Sequence, residues 1–157
     1  MTDARFEDGG DRPLYLQALS TEDLEVISSL VQDAVFPITE ISWRSHARRF
    51  GLLLNRFRWE DREAAEARGR PYERVQSVLE FADVLKVSSQ GVDRSDKDLV
   101  LSLLAVSFEP GEDGAGRILF TLAGDGVIAL DVECIDVTLK DVTRPYVAPS
   151  RAVPNHD

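Results

Sequence analysis

Residues 49–59 read RFGLLLNRFRW, and this stretch decides how the rest of the chain is interpreted. Its first half is apolar at successive positions and therefore on both faces of a strand, as in a strand that is covered on both sides of a sheet. Its second half becomes strongly cationic through Arg56 and Arg58. We therefore predict a central β-strand, Arg49–Trp59, which carries the dense basic cluster of an otherwise acidic chain.

The segments before this strand predict one helix and a hairpin partner. Ser20–Val35 is predicted as an amphipathic helix, because Ser20 is a suitable N-cap and apolar residues recur at helical spacing. Pro37 ends that helix. Ile38–Arg44 is predicted as a strand that forms a hairpin with the central strand across a loop of about four residues.

The second half of the chain is predicted to be mainly β, and three of its segments leave alternatives open. Tyr72–Ser89 is either one strand with a bulge at Ala82-Asp83 or two strands with a bend. Val127–Val142 has β-branched residues that favour a strand, although its apolar spacing also fits a helix. Glu60–Pro71 is either a short solvated helix or a surface loop. Three other segments are predicted as strands, namely Leu14–Leu19, Asp98–Glu109 and Arg117–Ala123.

Together these segments predict an α+β fold. It consists of a curved, mainly antiparallel sheet of about seven strands, open or closed into a barrel, with one N-terminal amphipathic helix packed on it. Residues 14–143 form the predicted single domain. Residues 1–13 are a predicted mobile lead-in, and residues 144–157 are a predicted proline-containing tail.

Composition limits the classes of function. The 157 residues carry a formal net charge of −10, which disfavours nucleic acid and anionic membrane surfaces as partners. The single cysteine, Cys134, cannot form an intramolecular disulfide, and the N-terminus lacks the apolar run of a signal peptide. We therefore expect a soluble cytoplasmic protein.

Four phrases of the sequence resemble a known family. They are LLLNRFRWED, GRPYERVQSVLEF, DLVLSLLAVSFEPGEDGAGRI and IALDVECIDVTLKDVTRPY. The chain resembles, from about Phe6 to Pro149, an uncharacterised alphaproteobacterial family known as domain of unknown function 2948. The resemblance implies a small bacterial cytoplasmic protein, and it implies no activity and no catalytic residues.

The basic cluster is the candidate binding site. Guanidinium groups bind carboxylate or phosphate through two parallel hydrogen bonds, so the arginines could form an anion site. The alternative is that each arginine pairs with an Asp or Glu of a neighbouring strand. Because Arg56 and Arg58 share a face with Phe50, the strand is predicted to leave the core at this end. The predicted anion-binding residues are Arg44, Arg48, Arg49, Arg56 and Arg58.

Other chemistry has weaker support in the sequence. Asp131 and Glu133 could form an acid/base or cation pair, but the polar face of a half-buried strand explains them better. Cys134 lies in an apolar run and is predicted to be a small core residue rather than a nucleophile. One cysteine and two histidines are too few for a structural zinc site. We predict no cofactor, no metal and no catalytic residue.

These observations favour a non-catalytic module that binds a partner or a small ligand. Such a module could self-associate through an edge strand or an apolar patch. The alternative is a small enzyme, or an accessory to an enzyme, that acts on an anionic metabolite through the arginine cluster.

Overall fold

Backbone pairing joins the strands of residues 12–147, the part of the chain that the computed structural model describes, into one antiparallel sheet. Its eleven strands are accompanied by two short helices, so the described chain is mostly β. The helices are α1 Thr21–Leu30 and α2 Arg62–Arg68. The strands are β1 Tyr15–Ala18, β2 Val35–Pro37, β3 Ile41–Arg44, β4 Arg49–Phe57, β5 Glu73–Phe81, β6 Val84–Gln90, β7 Val100–Pro110, β8 Gly116–Leu122, β9 Val127–Val132, β10 Val137–Asp141 and β11 Tyr146–Val147.

The sheet is open, with β1 and β6 at its two ends. The strand order is β1-β10-β5-β4-β2-β7-β8-β9-β6, while β11 pairs with β5 and β3 pairs with β4. The predicted central strand is confirmed, because β4 pairs with β5 on one side and with β2 and β3 on the other. The predicted hairpin is also confirmed, since Arg44 pairs with Arg49 across the four residues 45–48.

The prediction of about seven strands was too low, for two separate reasons. Two predicted segments each divide into two strands: 72–89 contains β5 and β6, and 127–142 contains β9 and β10. Two short strands, β2 and β11, were not predicted at all. Asp83, with a φ of +57°, bends the chain between β5 and β6, so the two-strand alternative is correct there. Closure into a barrel is not observed.

The N-terminal helix is shorter than predicted. Its start agrees with the sequence, because Oγ of Ser20 accepts a hydrogen bond of 3.1 Å from the backbone N–H of Asp23. It ends at Leu30, and Asp33 then adopts a left-handed φ of +66°. Val35–Pro37 consequently forms β2, which joins β4 to β7. A second helix, α2, occupies the segment for which helix and loop were both open.

The core lies inside the curve of the sheet and is closed on one side by α1. Three aromatic rings occupy its centre, from β4, β5 and β8. The ring centroids of Phe50 and Phe120 are 5.8 Å apart, and those of Phe81 and Phe120 are 5.1 Å apart. Leu24 and Ile27 of α1 are buried against the same core. Such close-packed aromatic contacts hold the surrounding strands at fixed positions.

The described residues include only a few residues of the predicted lead-in and tail. Most of the predicted lead-in and tail lies outside the described residues, but Tyr146 and Val147 pair with β5. Between residues 12 and 147, neither helix is long and apolar enough to cross a membrane.

Candidate functional site

The five predicted anion-binding arginines each lie beside a carboxylate. Arg44 and Arg49, at the turn of the β3–β4 hairpin, both contact Glu80 of β5, at 3.2 and 3.0 Å. Arg48, in the turn itself with a φ of +58°, pairs with Glu133. These three ion pairs are at the surface, where each contributes little to stability.

Arg56 is completely excluded from solvent, which corrects the expectation that the strand leaves the core at this residue. Its two terminal nitrogens each lie 2.8 Å from an oxygen of Glu60, and Nη2 also lies 3.0 Å from Oδ1 of Asp141. Burial opposes the positive charge of Arg56, but the contacts with Glu60 and Asp141 outweigh it and raise the pKa. Arg56 therefore belongs to the framework of the fold.

Arg58 is also buried, at the end of the same strand. Its guanidinium contacts Glu73 and lies 3.5 Å from Asp61. Asp61 in turn receives two hydrogen bonds of 3.0 Å from Arg70. An anion could reach the Arg58 guanidinium only by displacing a carboxylate. A cavity of about 180 Å³ beside Arg44 is also lined by Glu40 and Glu80, so the arginine site stays a prediction.

A different concave site lies between β3 and β6. Each of these strands pairs with one neighbour only, and they do not pair with each other. The gap between them is a cleft of about 430 Å³. The cleft is lined by Ile38, Thr39, Ile41, Trp43, Phe50, Val87, Ser88, Ser89, Val92, Arg94, Lys97 and Ile128. A volume of this size is in the ordinary range for small-molecule sites.

The walls and floor of the cleft are apolar. Trp43 and Ile41, on one face of β3, and Val87 of β6 are only partly buried, although they pack against the core. Phe50 and Ile128 form the floor and are almost fully buried. Because Phe50 belongs to the central aromatic group, the floor is fixed by the core itself. The site is therefore formed before any ligand enters.

Two cations lie at the mouth of the cleft, on the loop of residues 91–99 that joins β6 to β7. Arg94 and Lys97 are exposed, and neither makes a salt bridge with any residue between 12 and 147. This separates them from the five predicted arginines, each of which has an acidic partner. Their charges are free to meet an anionic group that lies over the cleft.

Two carboxylates of this loop accept hydrogen bonds from the loop's own backbone and form no salt bridge with the two cations. Oδ1 of Asp93 accepts hydrogen bonds from the N–H and the hydroxyl of Ser95, at 3.0 and 2.6 Å. The hydrogen bond from the Ser95 hydroxyl favours the ionised carboxylate and lowers the pKa of Asp93. Asp96 accepts in the same way from the N–H of Asp98, at 3.0 Å. These turns fix the positions of Arg94 and Lys97.

The cleft was not found from the sequence, although parts of its signal were visible. Trp43 stands beside Arg44 of the basic cluster, and residues 90–97 have the Gly, Asp and Ser content of a turn. Arg94 and Lys97 alternate with Asp93, Ser95 and Asp96, which is the composition of any solvated turn. Only the approach of β3 and β6 brings the apolar wall and these two cations together.

Cys134 and Asp131, the other candidate residues of the sequence, each contact a neighbouring side chain. Cys134 is exposed, so the prediction of a core cysteine was wrong. Partial burial raises the pKa of its thiol, and the carboxylate of Asp83, 3.3 Å away, raises it further, which disfavours the thiolate. Asp131 pairs with Arg117 at 2.9 Å. No group of three metal-ligating side chains is found within residues 12–147.

Four strands of the described chain, β1, β3, β6 and β11, each pair with one neighbour only and leave one edge unpaired. At the two ends of the sheet, Tyr15 of β1 and Leu85 of β6 are 65% and 54% exposed. Exposed apolar residues on an open edge are a known route to association. The self-association expected from the sequence stays a prediction.

Comparison with known proteins identifies the family. The family described as "Protein of unknown function (DUF2948)" has a sequence model that matches residues 14–156. The chain therefore belongs to that family, which confirms the resemblance. No curated protein and no solved structure matches the chain.

Proposed function

We propose that this DUF2948 protein is a non-catalytic module that binds a small, largely apolar molecule in the cleft between β3 and β6. One observation carries the proposal: half-buried apolar side chains line an open cavity of about 430 Å³ over a fully formed core. Such walls lose solvent contact when a ligand enters, and each Å² of apolar surface removed from water contributes about 25 cal/mol.

The chemistry of the lining favours binding over catalysis. Its polar side chains are Thr39, Ser88, Ser89, Arg94 and Lys97. The described lining contains no histidine, cysteine or carboxylate, which are the usual general acids and bases. The alternative of a small enzyme that acts on an anionic metabolite finds no acid/base pair here.

The fluorescence of Trp43 can be used to measure binding in the cleft. Trp43 lies in its wall, and the second tryptophan, Trp59, donates a hydrogen bond of 3.0 Å to the carbonyl of Gln32. Trp59→Phe leaves Trp43 as the single indole. We expect an uncharged apolar dye, N-phenyl-naphthylamine, to gain fluorescence on binding and to quench Trp43 by energy transfer.

A matched pair of variants on β6 tests where the dye binds. Val87→Phe fills the cleft from its wall, whereas Leu85→Phe adds the same ring outside it. Dye binding should be lost in Val87→Phe and kept in Leu85→Phe, with circular dichroism used to check that each variant is folded. If Val87→Phe does not fold, Ser89→Phe blocks the same wall. Equal dye binding by the blocked and parent proteins, or no binding by the parent, would overturn the proposal.

The arginine cluster remains the second place to test for anions. Calorimetry with inorganic phosphate, using Arg49→Ala beside the parent protein, tests the exposed part of that cluster. Binding heat that disappears in the variant would support the predicted anion site. The absence of heat from the parent protein would contradict it.

A further inference from the structure

We infer that the ligand of the cleft is an amphipathic anion, whose apolar body lies against Trp43 and Phe50 and whose anionic head group is held by Arg94 and Lys97. This inference rests on the proposed function and specifies the chemical class of its ligand. It adds two residues, Arg94 and Lys97, that sequence reasoning did not connect with binding.

Arg94 and Lys97 differ from the five predicted arginines in having no acidic partner in the described chain. The surface arginines Arg44, Arg48 and Arg49 all contact carboxylates, and so do the buried Arg56 and Arg58. Arg94 and Lys97 have no such partner in the described chain, although Asp93, Asp96 and Asp98 are their immediate neighbours in sequence. Two unpartnered cations at one opening of an apolar cavity are complementary to a single anionic group.

Hydrogen bonds hold the backbone of the loop of residues 91–99 in place. Asp93 and Asp96 close two successive turns through their own side chains, and the N–H of Ile38 binds the carbonyl of Leu99 at 2.9 Å. The loop is therefore attached to the wall of the cleft next to Ile38. The backbone that carries the two cations is already ordered, so little backbone entropy is lost when they bind an anion.

The two cations attract an anion only at short range. The chain has a net charge of −10, and the loop holds three carboxylates beside its two cations. Its long-range field therefore does not attract anions. An anion gains by direct contact with a guanidinium fork and an ammonium group after its apolar part has entered the cleft. This order of events favours an amphipathic anion over a small, fully hydrated one such as inorganic phosphate.

The test compares ligands that share one apolar chain and differ in the head group. Decanol, decanoate and decyl phosphate compete with N-phenyl-naphthylamine for the parent protein at low salt. We expect both anions to displace the dye at concentrations about tenfold lower than decanol, which corresponds to one additional charge-assisted contact. The order of decanoate and decyl phosphate distinguishes a carboxylate head group from a phosphate head group.

Variants at the mouth assign the effect to the two cations. Arg94→Gln with Lys97→Gln should remove the advantage of decanoate over decanol and leave decanol unchanged. The matched control is Lys86→Gln, which removes an exposed cation of β6 outside the cleft and should keep the advantage. Added salt should weaken decanoate in the parent protein and leave decanol unaffected.

The possible failures are distinguishable. If the dye does not bind, or binds to the blocked cleft, the proposed function fails. If the dye binds the cleft but decanol and decanoate displace it equally, the inference fails and the proposed function stands. A dimer detected by light scattering, with no dye uptake, would identify a second copy as the occupant and overturn both.

Discussion

Arg56 and Asp141 form an ion pair in the interior of the sheet, with Nη2 of the arginine 3.0 Å from Oδ1 of the aspartate. The arginine is fully buried, and the carboxylate also accepts hydrogen bonds from Ser77 at 2.7 Å and from the backbone N–H of Leu14 at 2.9 Å. One buried carboxylate thus connects β4, β5, β10 and the segment before β1.

We expect Arg56→Met to be among the most destabilising single changes in the chain. It leaves the buried Asp141 without its cation and Glu60 with only Arg58, 3.8 Å away. An uncompensated buried charge costs about 3–5 kcal/mol. Arg49→Met, on the exposed end of the same strand, should cost less than about 1 kcal/mol. Urea denaturation measures both free energies of unfolding. Similar losses in the two variants would contradict the role assigned to Arg56.

The carboxyl group of Glu60 makes stability depend on acid pH. Burial by itself raises its pKa, but the hydrogen bond and charge of Arg56 outweigh burial, so its pKa is lowered in the folded state. Its stabilising contribution is therefore complete above the unfolded value of about 4.3 and is lost as the pH falls through the lower folded value. Glu60→Gln should flatten the decrease in the free energy of unfolding below about pH 4.3. An unchanged acid profile would argue against this pairing.

The thiol of Cys134 should react slowly despite its exposure. Because partial burial and the carboxylate of Asp83 raise its pKa, little thiolate is present at neutral pH. Alkylation by iodoacetamide should be slower than for a free cysteine and should accelerate as the pH rises. Asp83→Asn removes the negative charge and keeps a residue that tolerates the left-handed φ of +57°. Faster alkylation of this variant at pH 7 is the expected result, and an unchanged rate would contradict it.

The loop at the mouth of the cleft depends on Gly91. Its φ is +72°, and a Cβ atom at this position would lie 3.1 Å from the carbonyl oxygen of Asp125. Gly69, at a φ of +64° with no atom within 4 Å of such a Cβ, provides a matched control. Gly91→Ala should lower the free energy of unfolding by about 1–3 kcal/mol and more than Gly69→Ala does, because it adds a contact to the same backbone strain. Thermal unfolding of both variants makes the comparison, and equal losses would show that the contact is unimportant.

Local patterns were sufficient for much of the fold. The apolar first half of Arg49–Trp59 predicts a central strand, since a strand covered on both faces needs apolar residues at successive positions. Ser20 marks the start of α1, and Gly124 and Asp125, residue types that tolerate positive φ, adopt φ values of +84° and +71° between β8 and β9. These features depend on neighbouring residues, so the sequence contains their cause.

What the sequence could not determine depends on distant partners. Val35 is the last residue of the apolar helical pattern, but pairing of Val35–Pro37 with β4 and β7 makes it the start of a strand. The sequence predicts Arg56 at the charged end of a strand that leaves the core. Arg56 is buried because it forms ion pairs with Glu60 and Asp141.

The same division applies to the candidate site. The sequence by itself determined the family, a mainly antiparallel chain and the strands that carry Trp43 and Val87. The tertiary structure decided that β3 and β6 approach without pairing, which leaves an apolar cleft below Arg94 and Lys97. The physical reason is that strand pairing and ion pairing are decided by which distant groups meet, and a local pattern of residues does not contain that information.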